Sequence, residues 1–359
     1  MNARTVQATL YLSLWALPVC VAAVPATGCE TGQQAGQTAS AAGAQGASQT
    51  GVVTDIQDRV LALAGSREGT PAGAGAEFPT GRFRENWHDA YVSLQPSRWP
   101  TYKSQTAEES AMGSAFYKVP QSVFGGSVQA GVFGGENWVN TSYKPSSSSS
   151  PGSLSRTRQY NDSYIAGGYV LYSIGSSYVM NTVATFDGRT DQKGTGFTGG
   201  SSSYGTNGFE DTAVAGHVFN VAGAATPLKV DVRGGLLYSN AQGDSFSNAI
   251  GEVFRPGTEE TAASLSAMLF RDVGLSVGET VRPYVKAGLR EQLDYSNKVE
   301  DTFRGVTATY SFGQSNTLGS AEIGFDYAFS NVTVTGAVYG ETAADQSSIG
   351  GRLGAKFAF

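Results

Sequence analysis

Cysteine and histidine are scarce in this sequence, and their scarcity excludes several kinds of chemistry. The chain of 359 residues has two cysteines, Cys20 and Cys29, which both lie close to the N-terminus. No later residue can therefore form a disulfide bond or provide a thiolate ligand. The two histidines, His88 and His217, are too few to build a plausible metal site. We expect no metal and no cofactor, so hydrogen bonding and packing must hold the mature fold together.

Charge is also scarce, and long apolar runs are missing. Charged residues make up 15% of the chain, against about 25% in typical globular proteins. No run of about 18 apolar residues follows the N-terminus, so transmembrane helices do not explain the missing charge. The formal net charge of -6 argues against nucleic acid as a partner, because nonspecific binding to phosphates requires a basic surface.

Glycine and aromatic residues, by contrast, are plentiful. The chain has 47 glycines, 17 tyrosines and 18 phenylalanines. Its length would fit two or three average domains or one large barrel. Few charges together with many glycines and aromatics are typical of a membrane β-barrel with aromatic girdles, so the composition favours the barrel.

The N-terminus reads as a signal peptide, which we assign to residues 1–28. Arg4 precedes an apolar stretch at residues 8–24, as in the charged and apolar regions of secretory signals. Two cleavage points stay open. Signal peptidase would cut after Ala26, whereas residues 26–29 resemble a lipobox, which would make Cys29 a lipidated N-terminus.

Residues 29–112 are predicted to be a low-complexity N-terminal segment. Residues 30–51 consist mainly of Gly, Ala, Gln, Ser and Thr, which cannot bury a core, so we expect a disordered tether. Residues 52–64 place apolar side chains three and four positions apart, which predicts one short amphipathic helix. Such a helix either frays in isolation or is held near or inside a barrel lumen. Residues 82–118 are either a small periplasmic segment or the first strands of a barrel.

The last nine residues predict a strand that faces lipid on one side. Leu353 and Phe357 fall on the same face as Phe359, while Arg352 and Gly354 fall on the other. A soluble edge strand that exposed two phenylalanines would invite aggregation. The pattern is reasonable if the strand closes a barrel whose outer solvent is hydrocarbon.

Similar two-residue alternation recurs upstream, most clearly in residues 228–238, 281–294 and 321–329. In each stretch most of the charges share one face, which we predict to face a lumen. These side chains either neutralise one another and hydrate the interior, or grip a transiting or plugging segment or set pore selectivity. The lumen-facing candidates are Lys229, Asp231, Arg233, Arg282, Lys286, Arg290, Glu322 and Asp326.

The fold class that follows is all-β, an antiparallel transmembrane β-barrel of about 12 strands over residues 113–359. Residues 187–210 and 240–261 are polar inserts that we expect to be extracellular loops, and residues 330–331 are expected to form a periplasmic turn. A soluble β-sandwich or β-helix would also alternate, but it would not so often place charges on one face of a strand and aromatic residues on the other.

Catalytic patterns in the chain are weak. Residues 274–278 match the pattern of a nucleophile elbow, but Ser276 lies in a link between strands and both histidines precede it. His217, Asp211 and Ser264 could be considered as a catalytic set, but their separation in the sequence is no evidence that they form a triad. We therefore predict no catalytic residues and no enzymatic activity.

The order of the strand patterns resembles the translocator domain of autotransporters. The C-terminal pattern of Arg352, Gly354, Phe357 and Phe359 is similar to the signal that presents outer-membrane β-barrels to the barrel-assembly machinery. The other matching segments, in order, are residues 165–172 and 178–186, residues 229–238, the Arg-Pro-Tyr-Val segment at 282–285, and Glu322 with Gly324.

This resemblance implies a place in the outer membrane of a Gram-negative cell after Sec-type export, with outer-membrane lipid, periplasmic chaperones and the assembly machinery as partners. It also implies that the barrel exports or displays the N-terminal segment through its lumen. The segment ahead of the barrel is short and without repeats, so the passenger looks vestigial or absent. The alternative is a small porin-like channel, or a structural outer-membrane barrel, whose N-terminal segment stays periplasmic or plugs the pore.

Overall fold

A computed structural model describes residues 27–64, 73–94, 97–120, 122–145, 157–193, 201–221, 228–247, 251, 253–312, 316–344 and 346–358. The signal-peptide prediction falls almost wholly outside these residues, as does Phe359 of the C-terminal pattern. Cys29 lies in a helix, and its lipidation stays a prediction.

The described chain consists of one helix followed by strands. The helix, α1, runs from Thr27–Ala64. Within the described part of the chain, no helix is both long and apolar enough to cross a membrane. The strands are β1 (Gly73–Leu94), β2 (Ser97–Lys118), β3 (Ser127–Pro145), β4 (Thr157–Ile174), β5 (Ser177–Lys193), β6 (Ser201–Val221), β7 (Leu228–Gly243), β8 (Phe246–Ser247), β9 (Val253–Arg271), β10 (Val273–Ser276), β11 (Glu279–Phe303), β12 (Val306–Phe312), β13 (Thr317–Phe329), β14 (Val332–Thr342) and β15 (Gln346–Ala358).

Twelve of these strands form a closed antiparallel ring. β9 pairs with both β7 and β11, and β1 pairs with both β2 and β15, so the sheet returns to its start. The short strands β8, β10 and β12 pair only at the margins of this ring. The predicted antiparallel barrel of about 12 strands is confirmed, and closure satisfies the backbone hydrogen bonds that an open edge would leave unpaired. The ring contains β1, β2, β3, β4, β5, β6, β7, β9, β11, β13, β14 and β15.

The barrel begins earlier in the chain than predicted. Its first strand starts at Gly73, not at residue 113, because β1 and β2 complete the ring between β15 and β3. Alternation is hard to see in this region because the pairing of β1 shifts register on both sides around Pro79. Proline has no N–H for the ladder and is tolerated at such irregularities, and an extra residue interrupts the two-residue period of a strand.

The prediction of a disordered tether at residues 30–51 is wrong because these residues are helical, and the helix predicted at 52–64 is too short. α1 covers both regions. The segment is rich in Ala and Gln, which are good helix formers, and from Thr38 onward several of its side chains are buried against the barrel. Tertiary contact therefore stabilises a helix that its amphipathic pattern marks only at the C-terminal end.

The predicted loops at residues 187–210 and 240–261 are also largely strand. β5 and β6 continue into the first, while β7 and β9 continue into the second. These four strands, β5, β6, β7 and β9, are longer than the 9–11 residues that a strand needs to cross a bilayer. The turn at residues 330–331 is present.

The outer wall of the barrel carries an apolar belt. Its members lie on five different ring strands, and their side chains are between 59% and 64% exposed. A soluble protein rarely exposes so many large aliphatic side chains together, whereas an outer-membrane barrel presents such a band to hydrocarbon. We define the apolar belt as Leu236, Leu265, Leu289, Ile323 and Leu353.

The two ends of the barrel differ. At one end, here called the turn end, β4–β5 and β13–β14 are joined by the two-residue turns 175–176 and 330–331. β1 begins and β15 ends at the same end, because Gly75 pairs with Ala358. The opposite end, here called the loop end, carries most of the longer connections and the margins formed by β8 and β12.

Candidate functional site

The helix α1 lies inside the barrel. Its side chains reach strands on different sides of the ring: Gln45 Nε2 donates to Thr206 Oγ1 at 3.0 Å, and Asn137 Nδ2 donates to Ser48 Oγ at 3.0 Å. Near the loop end, the hydroxyl of Thr258 donates to the carbonyl oxygen of Ala42. The rise of a helix places Asp58 about 24 Å from Ala42. The helix therefore runs down the lumen, with its N-terminal part toward the loop end.

One half of the lumen is apolar and receives the apolar face of α1. Val52, Val53 and Ile56 are almost completely buried, and Val60 and Leu61 join the same cluster. Burying aliphatic side chains of this size stabilises by about 1.5–3 kcal/mol each. A porin lumen is polar and water-filled, so this half resembles a protein core. The main lining residues from β2 to β5 are Met112, Phe116, Phe133, Ile165, Tyr169, Leu171, Tyr178, Met180, Ala184 and Phe186.

The other half of the lumen is charged and receives two carboxylates of α1. Asp58 accepts from Arg233 Nη1 at 2.8 Å through Oδ1, and from Lys286 Nζ at 2.6 Å through Oδ2. Arg352 Nη1 lies 2.7 Å from Asp55 Oδ1 and 3.7 Å from Asp58 Oδ2. Asp55 and Asp58 are three residues apart, so they share one face of the helix. We call these five residues the charge cluster.

Two tyrosines position the two arginines of the charge cluster, Arg233 and Arg352. The ring of each tyrosine packs against a glycine of a neighbouring strand. Tyr178 donates to Asp231 at 2.7 Å, and Asp231 in turn binds Arg233 at 2.7 Å. A Cβ at Gly216 would lie 2.4 Å from the Tyr178 hydroxyl, so only glycine leaves room for the ring.

The second tyrosine forms a parallel arrangement across the lumen. Tyr284 donates to Glu322 at 2.6 Å, and Arg352 binds both Glu322 and the Tyr284 hydroxyl. A Cβ at Gly324 would lie 2.4 Å from that hydroxyl and 2.7 Å from the carbonyl oxygen of Gly336. Each arginine is thus positioned by a tyrosine and a carboxylate of the barrel wall, in addition to its ion pair with the helix.

We predict that Gly324→Ala disturbs the packing of Tyr284 and its contacts with Glu322 and Arg352. The added methyl group would overlap both the Tyr284 ring and the backbone of β14, which costs about 1–3 kcal/mol for an overpacked interior. The temperature at which the barrel loses its compact form on unboiled gels should fall. Gly234→Ala is the matched control, because its Cβ would meet only Ser264 O at 3.9 Å. If both variants lose the compact form at the same temperature, Gly324 is not needed to make room for Tyr284.

Three of the predicted lumen candidates, Arg233, Lys286 and Glu322, enter this network, together with Asp231 behind Arg233. The remaining candidates lie elsewhere on the inner wall. Lys229 and Arg282 both bind Asp272 near the turn end, at 3.2 and 2.6 Å, and Arg290 lies 3.6 Å from Glu260. Asp326 is buried.

The helix carboxylates and the inward position of one barrel cation, Arg352, were not predicted from the sequence. Asp55 and Asp58 occupy the face opposite Val53, Ile56 and Val60, and that spacing was the available signal. Arg352 was predicted only as part of the assembly pattern, yet its side chain points inward to Asp55. Of the other residues in that pattern, Gly354 and Phe357 lie in β15.

The structure does not bring together His217, Asp211 and Ser264, for which the sequence offered no evidence of a triad. His217 Nδ1 lies 2.8 Å from Ser177 Oγ, and Asp211 accepts from Asn181. Ser264 lies on β9, where it pairs with Gly235 and Arg290, away from both groups. Among the residues that the structure describes, no group of three or more His, Cys, Asp or Glu side chains is arranged to hold a metal ion.

A closed antiparallel ring with an apolar outer belt and an N-terminal helix along its lumen defines an outer-membrane β-barrel with the architecture of an autotransporter translocator. The transport unit of the autotransporter AIDA-I from Escherichia coli superposes with a TM-score of 0.62 at 17% identity, covering 84% of this chain and 97% of that chain. The beta domain of the Bordetella autotransporter BrkA superposes with a TM-score of 0.55 at 14% identity, covering 79% of this chain and 99% of that chain. The translocator domain of NalP from Neisseria meningitidis gives 0.54 at 15% identity, covering 87% and 98%.

No protein-family model matches the chain, and no curated protein matches it. The resemblance inferred from the strand order is confirmed at the level of the fold, and at these identities the fold is what the likeness shows.

Proposed function

We propose that this barrel exports or displays its own N-terminal segment at the cell surface, with α1 remaining in the lumen as the link between them. The observation that carries the proposal is the course of α1. The helix runs through the ring from the loop end to the turn end, where the chain enters β1. A chain that follows this course has its N-terminal part on the loop side of the membrane.

The orientation of the barrel supports placing the loop end outside the cell. Outer-membrane barrels have short periplasmic turns and longer extracellular loops. The turns at residues 175–176 and 330–331, the start of β1 and the end of β15 lie at the same end. This end is therefore assigned to the periplasm, and the N-terminal part of α1 to the outer surface.

Protease accessibility tests the proposal. A protease site with an epitope is inserted between Gln34 and Ala35, ahead of Thr38, so that the described lumen contacts of α1 are kept. We expect cleavage in intact cells. The same insertion between Ser330 and Asn331 is the matched control and should be cut only after the outer membrane is permeabilised. Protection of the first site until permeabilisation would contradict display and favour a periplasmic segment.

A small channel is the second candidate, and a gap beside the helix favours it. A cavity of about 140 Å³ lies between α1 and strands β6, β7, β9, β11, β13 and β14, next to Thr54 and Asp58. A further gap of about 100 Å³ lies toward β13 and β14. Such gaps can hold water. A porin-like passage for small solutes would run beside the helix, which would then act as a partial plug.

The proposal includes Sec-type export, periplasmic chaperones and insertion by the barrel-assembly machinery in a Gram-negative cell, and it assigns the barrel no catalytic step. The C-terminal pattern is the part of the chain that we propose the machinery recognises.

Removing that pattern should prevent assembly. We expect deletion of Phe359 together with Phe357→Ser to lower the outer-membrane level at least tenfold and to leave aggregates in the periplasm, since the terminal apolar strand is the proposed recognition element. Immunoblots of separated membrane and periplasmic fractions measure this. Ile349→Ser, on the exposed face of the same strand, is the control for lost apolarity. Normal outer-membrane levels of the double variant would overturn the assignment.

A further inference from the structure

A polar groove lies on the outer wall of the barrel, on the loop-end part of β7, β9 and β11. It is shallow and open to solvent, with a volume of about 250 Å³. Across the three strands, Gln242 pairs with Gly257 and Gly257 with Lys298, while Arg255 pairs with Glu300. Gly257 forms an open floor, because a Cβ placed there would meet only the carbonyl oxygen of Ala241 at 4.0 Å. The fold thus builds a depression at this level of the wall.

The groove follows directly on the apolar belt along the same strands. On the outer face of β7, Leu236 of the belt is followed by Tyr238, which is 38% exposed, and then by Asn240 and Gln242 of the groove. The rise of a tilted strand places these two amides roughly 5–10 Å beyond Tyr238. A tyrosine at the edge of an apolar band marks the membrane interface. The groove therefore lies at the level of the lipid head groups.

The groove combines cations with acceptors of hydrogen bonds. Arg255 and Lys298 are diagonal neighbours across β9 and β11, and within the described part of the chain neither forms a salt bridge. Glu259 is held by the Tyr238 hydroxyl, which donates to its Oε1 at 3.1 Å. Cations without a partner suit a phosphate group. Carboxylates and amides beside them can accept hydrogen bonds from hydroxyl groups.

We propose that this groove binds the phosphorylated saccharide head group of a glycolipid in the outer leaflet. Phosphate groups bind Arg255 and Lys298, and sugar hydroxyls donate to Glu259 and Glu300 above the floor at Gly257. A simple anionic phospholipid such as phosphatidylglycerol offers one phosphate and two glycerol hydroxyls but no saccharide, so it satisfies the cations and few of the acceptors. This site depends on the loop end facing the outer leaflet and not on export of the N-terminal segment.

Native mass spectrometry of the purified full chain, folded in detergent without glycolipid, tests the site. The probes are rough lipopolysaccharide, its dephosphorylated form and phosphatidylglycerol. We expect rough lipopolysaccharide to bind at least tenfold more tightly than either of the others. The double variant Arg255→Glu, Lys298→Glu should lose at least tenfold in affinity for it. Arg189→Glu is the matched control, because Arg189 is exposed on β5 and already paired with Asp191 at 3.3 Å; its affinity should not change.

Three results would overturn the proposal. These are equal binding of phosphatidylglycerol, unchanged affinity of the double variant, and an equal loss in Arg189→Glu, which would indicate charge attraction without a site. Unboiled gels show whether each variant is folded. If the double variant is not, Gly257→Leu decides, because it fills the groove without changing its charge. A folded Gly257→Leu that still binds rough lipopolysaccharide as the parent does would end the proposal.

Discussion

Replacing Asp58 by alanine is expected to release α1 from the charged half of the lumen. The change leaves Arg233 and Lys286 buried without their partner on the helix, and it weakens the hold on Arg352. Removing one side of a buried ion pair costs about 3–5 kcal/mol, because the remaining charge stays desolvated. Amide hydrogen exchange in α1, followed by mass spectrometry, should become more than about 100-fold faster near residue 58.

Thr54→Ala is the matched control for this prediction. Thr54 is exposed, lies on the same helix and lines the cavity beside it. Alanine is a better helix former than threonine, so the control should exchange no faster than the parent protein. If Asp58→Ala and Thr54→Ala show the same protection, the charge cluster does not hold the helix, and packing of the apolar face alone accounts for its position.

Deleting residues 38–64 is expected to open the barrel. The helix fills the lumen with a cylinder about 10–12 Å across, and it contacts strands around the ring. Without it, water and ions should occupy the charged half of the interior. Single-channel recordings in planar bilayers should show a conductance many times that of the full chain. A full chain that already conducts as the deletion does would instead support the open porin-like channel.

The deletion also exposes apolar lining residues such as Met180 and Phe133, which are buried with the helix in place. Unboiled gels must therefore show that the shortened barrel is still folded. Ile56→Asp provides an independent route, because a carboxylate in the apolar half of the lumen is not paired and should displace the helix. An increase in conductance in both variants supports a plug, whereas a folded deletion variant that stays closed would contradict it.

The local pattern of the chain was sufficient to predict the barrel. Alternation in residues 281–294 follows from the two-residue period of a strand, and it requires no knowledge of the neighbouring strands. Leu289 is exposed on the outer wall, while Arg282 is buried on the inner wall. The scarcity of charge and the terminal aromatic pattern also indicate that the outer face of the barrel contacts the hydrocarbon of a membrane. These features are properties of single strands, so they can be seen without a fold.

The position of β1 and the full extent of α1 could not be obtained in this way. Pro79 interrupts the register of β1 on both sides, so its two parts do not share one alternating pattern. Residues 30–51 have few apolar side chains, and an isolated helix of such composition is marginal in water. The barrel wall stabilises it through contacts such as Gln45 with Thr206 and Ser48 with Asn137.

The chain thus encoded locally which faces meet lipid and which meet the interior. The partners of the inward charges were set by the closed barrel. Asp58 and Lys286 are 228 positions apart, and Asp55 and Arg352 are 297 apart. Contacts over such separations depend on strand pairing and on the register of twelve strands, which a period of two residues does not contain. The physical reason is that alternation reports the environment of a side chain, whereas its partner depends on where the ring closes.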